Sequence, residues 1–173
     1  TGVITLFSET GVPVIFMSRL ADEMAYATPS KGDLPTHYLH QKRFCGDQET
    51  QLKFIRWVKS LKTALQRNVF RKLYHALDSD ISANISADDY EELGSYLKPT
   101  DAMKWSAVSQ FVHMLFKGVA IEELNKAGID PHPAILRQEE RFGLAADICD
   151  LLQSEVDFQS IEFFASKIAN PCR

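Results

Sequence analysis

Six oxygen-bearing side chains fall at regular offsets in one short stretch of this 173-residue chain: Asp78, Asp80, Ser82, Asn84, Ser86 and Asp89. Counted from Asp78 they occupy positions 1, 3, 5, 7, 9 and 12. Carboxylates, hydroxyls and carbonyls in that pattern suit a hard cation, Ca²⁺ or Mg²⁺, which takes oxygen ligands only. The flanks read as helices. Phe70, Leu73, Tyr74 and Leu77 make one apolar face before the stretch, and Tyr90, Leu93 and Leu97 make another after it.

Residues 70–97 therefore resemble an EF-hand helix–loop–helix, and the likeness extends no further along the chain. The resemblance implies that Asp78, Asp80, Ser82, Asp89 and the Asn84 carbonyl ligate the ion, with Ser86 acting through water. Two departures weaken the site. Ala83 stands where the family has glycine for a left-handed turn, and a Cβ there costs about 1 kcal/mol. Asp89 stands where the family has a longer, bidentate glutamate. The alternative is an Asp-rich connector that asks only for turn chemistry and a Ser86 helix cap.

A second candidate is electrostatic. Between Lys53 and His75 lie seven basic residues and no acid. At 100° per residue, Lys53, Arg56, Arg67 and Arg71 share the face opposite the apolar stripe of Leu52, Ile55, Val58, Leu61, Leu65, Val69, Leu73 and Ala76. Such a face can hold the phosphates of a nucleic acid or another polyanion, or stand solvated. From Asp78 to Asp101 the sign reverses, with seven acids against Lys98.

Other chemistry is thinly represented. His37, His40 and Cys45 offer three zinc-type donors, but in no recognisable zinc spacing. No P-loop, dinucleotide fingerprint, G-x-S-x-G or H-E-x-x-H occurs, so an enzyme is not the expectation. Net charge is −4, which gives no general attraction to polyanions. Three widely spaced cysteines argue against a disulfide framework and for a cytoplasmic or other reducing compartment. No apolar run reaches the length of a membrane span. The chain begins with Thr1 rather than Met, which suits a fragment of something longer.

The elements positioning these residues read as mainly α, about six or seven packed helices in a single domain over 1–173. Residues 1–17 are expected to form a small β-hairpin, from GVITLF and VPVIFM about a turn at Ser8 to Gly11. A short helix is expected over 18–27 and a loop over 28–36. Long helices are expected over 47–77 and 101–117, the latter interrupted at Gly118 and resuming over 120–127 with Gly128 as its cap. A helix from Pro133 or Ala134 to about Gln153, a connector at Ser154 to Asp157 and a helix over 158–169 complete the chain. The function expected from these readings is a non-catalytic regulatory or adaptor domain. It would bind a protein partner through a helical groove, with weak cation binding at most. The alternative is a nucleic-acid or polyanion module using Lys53, Arg56, Arg67 and Arg71.

Overall fold

A computed structural model describes residues 2–9, 14–16, 25–27, 37–75, 87–97, 99, 101–137 and 140–169. Among these, seven helices follow in order: α1 (Gly2–Glu9), α2 (Tyr38–Gly46), α3 (Gln48–His75), α4 (Ala87–Leu97), α5 (Ala102–Lys126), α6 (Gly143–Leu151) and α7 (Gln153–Ala169). Two two-residue strands, β1 (Val14–Ile15) and β2 (Tyr26–Ala27), pair antiparallel with Val14 opposite Ala27. The mainly α expectation holds.

The hairpin over 1–17 does not form. Residues 2–9 are helical, and the strand residues Val14 and Ile15 pair with 26–27 instead. The β-branched Val3, Ile4 and Thr5 suggested a strand. Yet Val3, Ile4, Leu6 and Phe7 recur at helical spacing, and that period prevails over β propensity. Tyr26–Ala27 also removes the end of the helix expected over 18–27, while the loop expected over 28–36 lies outside the described residues.

The chain divides into two compact units. One comprises Thr1–Ile55 and Met114–Asp150, the other Arg56–His113 and Leu151–Arg173. In the first, Ala120, Ile121, Leu124, Phe142 and Ala145 form a core, with Ile129, Leu144 and Ile148 packed on it. In the second, Val69, Phe70, Leu73, Tyr90 and Ile161 form a core that Trp105 and Phe158 cover. The Tyr90 hydroxyl donates to Asp157 Oδ2 at 3.1 Å, which satisfies the polar end of an otherwise apolar side chain.

Helix ends follow local capping chemistry. Asp47 accepts the Glu49 N–H at 3.3 Å and the Thr50 hydroxyl at the start of α3. Asp101 accepts the Lys104 N–H at 3.1 Å at the start of α5. Gly118 does not break α5. It is buried beside the Ala120, Ile121 and Leu124 contacts, whose packing exceeds the roughly 1 kcal/mol cost of a mid-helix glycine. Gly128, at φ 70°, ends the helix in a Schellman turn: its N–H reaches Asn125 O at 3.1 Å, and Ile129 N–H reaches Leu124 O at 2.9 Å.

The helix expected from 133 or 134 begins only at Gly143, and the connector expected at 154–157 is the first turn of α7. Ile135, Leu136 and Arg137, which are not helical, direct their backbone donors to the Asp147 side chain. Its carboxylate accepts N–H groups from Ile135 at 3.0 Å, Leu136 at 3.1 Å and Arg137 at 3.1 Å. Three successive amides converging on one anion make a nest.

Candidate nucleic-acid interface

Helix α3 presents its basic residues as the periodicity requires. Within the second unit, Arg56, Lys59, Arg67, Arg71 and Lys72 are exposed, while Val58, Val69, Phe70 and Leu73 on the other side are buried. Arg56, Arg67 and Arg71 fall within about 60° of arc on the helix. They extend about 22 Å along its axis at 1.5 Å per residue.

Their partners distinguish them. Lys53 belongs to the first unit and is neutralised in place by Glu49, one helical turn away at 2.7 Å. Lys72 reaches Glu155 of α7 at 3.6 Å and sits 5.1 Å from the Phe158 ring centre, so it serves packing within its own unit. Arg56, Lys59 and Arg71 form no side-chain hydrogen bond or ion pair among the described residues. Of the four basic residues expected to act together, the second unit therefore keeps three on one face, Arg56, Arg67 and Arg71.

The oxygen-rich stretch is placed only at its end. Asp78, Asp80, Ser82, Asn84 and Ser86 lie outside the described residues, while Asp89 is exposed in the first turn of α4. Among the described residues, no group of three His, Cys, Asp or Glu side chains comes together to hold a metal. His37 and His40 stack with ring centres 6.3 Å apart, and Cys45 is half-buried with its thiol pushed up by burial and then by Asp147.

One charged cluster among the described residues was not singled out from the sequence. Beside the Asp147 nest, Arg137 Nε and Nη2 each lie 2.8 Å from an Asp150 oxygen, a bidentate pair, and Nη1 lies 2.5 Å from Glu140. These carboxylates raise the Arg137 pKa further, so it is cationic throughout. Cys149, between the two aspartates, is buried and its thiol is pushed up to about 12, chiefly by burial. The available sequence signal was two aspartates three apart on one helix face, Asp147 and Asp150. In this arrangement the carboxylates hold a loop and a guanidinium.

Neither a protein-family model nor a curated protein sequence matches the chain. Among solved structures, the fold is similar to one described as "Casposase bound to integration product", with a TM-score of 0.63 and 15% identity. The likeness covers 96% of this chain, which spans 60% of that one. This corrects the expected non-catalytic adaptor function: the solved structure that matches in fold over 96% of this chain is described as bound to an integration product. A protein-binding groove finds no support in it. No helix among the described residues is long and apolar enough to cross a membrane.

Proposed function

We propose that this chain is a helical nucleic-acid-binding module that engages the phosphate backbone through Arg56, Arg67 and Arg71 of α3. The fold likeness to a casposase bound to integration product carries this reading, because integration joins segments of nucleic acid. The basic face supports it independently. A chain of net charge −4 keeps seven basic residues and no acid in the 23 positions from Lys53 to His75. Clustered arginines of this kind bind phosphates through charge-assisted hydrogen bonds and release condensed counterions, which gives a local attraction on a chain of net negative charge.

The test is binding of a fluorescein-labelled oligonucleotide, followed by anisotropy at about 50 mM salt. The native chain is compared with the triple variant Arg56→Glu, Arg67→Glu, Arg71→Glu. All three side chains are exposed, so the variant should keep its helical circular dichroism. Binding by the native chain and its loss in the folded variant are expected. Absence of binding by the native chain, or undiminished binding by the folded variant, overturns the proposal.

A further inference from the structure

The α3 face that carries the three arginines also carries an exposed aromatic ring. Trp57 is 55% exposed, an unusual condition for a tryptophan, and it directly follows Arg56. Between Trp57 and Arg67 the same side of the helix bears only short side chains, Ser60, Thr63 and Ala64. The two hydroxyls are turned back onto the helix, Ser60 Oγ donating to Trp57 O at 2.7 Å and Thr63 Oγ1 to Lys59 O at 3.1 Å. The result is a shallow, uncharged track. Arg56 and Trp57 stand at one end, and Arg67 and Arg71 at the other.

From this juxtaposition we infer that Trp57 is a base-stacking platform, and that the strand lying along the track is single-stranded. This rests on the proposed function and names its substrate class. In a duplex the base faces are covered by their neighbours, and an exposed indole on a helix side has nothing to stack on. In a single strand every base has an open π-face, and aromatic rings interleaved with arginines are the arrangement that holds such strands. The track, about 22 Å long from Arg56 to Arg71, matches a site of about four nucleotides, the short end of the usual range.

The test uses the full chain with two probes, an oligothymidine of about 20 nucleotides and a duplex of about 20 base pairs. Three proteins are compared: the native chain, Trp57→Ala and Trp57→Phe, each checked by thermal melting. Trp57→Ala should weaken oligothymidine binding about 10-fold and duplex binding less than about 2-fold, while Trp57→Phe keeps most of the single-strand affinity. Oligothymidine should also quench tryptophan emission in the native chain but not in Trp57→Phe. In that variant the remaining Trp105 is half-buried, with its ring centre 6.2 Å from that of Phe164. Unchanged single-strand affinity in a folded Trp57→Ala, with binding still lost on reversal of the three arginines, overturns the stacking role alone. Equal losses for both probes overturn the single-strand preference. If the native chain binds neither probe, the proposed function falls with it.

Discussion

The Asp147 carboxylate holds the Ile135 backbone N–H at 3.0 Å, joining positions twelve residues apart. The same side chain takes the next two amides, so one residue of α6 holds the backbone of 135–137. Asp147 is only 4% exposed. Asp147→Ala leaves these donors unsatisfied in or near the interior and should cost about 3–5 kcal/mol. Asp147→Asn, which keeps one acceptor, should cost about 1–3 kcal/mol. Urea denaturation reads both, and an alanine variant within about 1 kcal/mol of the native chain contradicts the nest.

The turn into α6 is equally constrained. Phe142 holds a left-handed φ of 58° with its ring centre 4.5 Å from that of His132, and Gly143 follows. A Cβ on Gly143 would lie 2.5 Å from Ala134 Cβ and 2.6 Å from Arg137 O. Backbone on one side and a packed methyl on the other leave it no room. Gly143→Ala should cost about 1–3 kcal/mol. Gly128→Ala should cost about 1 kcal/mol, from left-handed strain at φ 70°. Thermal melts should rank Gly143→Ala below Gly128→Ala; the reverse order would count against a loop packed onto the start of α6.

Alkaline pH should expose two buried acids. The Cys149 thiol is raised from 9.0 to about 12, so between those values the unfolded chain loses this proton and the folded chain keeps it. Stability from the neutral thiol is complete below about pH 9 and falls as the pH rises toward 12. Tyr90 is also raised from 10.0, first by burial and then by Asp157, and adds a decline that begins above pH 10. Stability measured against pH should fall less steeply over 9–12 in Cys149→Ala and above pH 10 in Tyr90→Phe. Slopes identical to the native chain would mean that these groups titrate alike in both states. At neutral pH, Tyr90→Phe should cost about 1 kcal/mol by removing the hydrogen bond to Asp157.

The long helices were legible because their cores are periodic. Val58, Val69 and Leu73, picked out by spacing, are buried on α3, and the basic face opposite them is exposed as expected. A cap with a local mechanism was legible too, at Gly128. What could not be read was anything set by distant chain. Ile135 to Arg137 have helix-compatible residues, but Asp147 takes their amides ten to twelve positions later. Val3 to Thr5 favour strands by type, yet local period and the 14–15 pairing with 26–27 decide otherwise. The candidate interface was legible as charge, but the distinction between Lys53, paired to Glu49, and Arg71, with no ion-pair partner among the described residues, required coordinates.

The most direct measurement of the central claim is the salt dependence of nucleic-acid binding. Removing one phosphate-neutralising cation lowers the slope of log affinity against log salt by about 0.7 for a single strand. Charge-neutral replacement of two residues, Arg67→Gln with Arg71→Gln, should flatten the slope by about 1.4 and weaken binding at low salt, with the helical signal retained. A slope that stays at the native value in the folded double variant would contradict phosphate engagement by this face of α3.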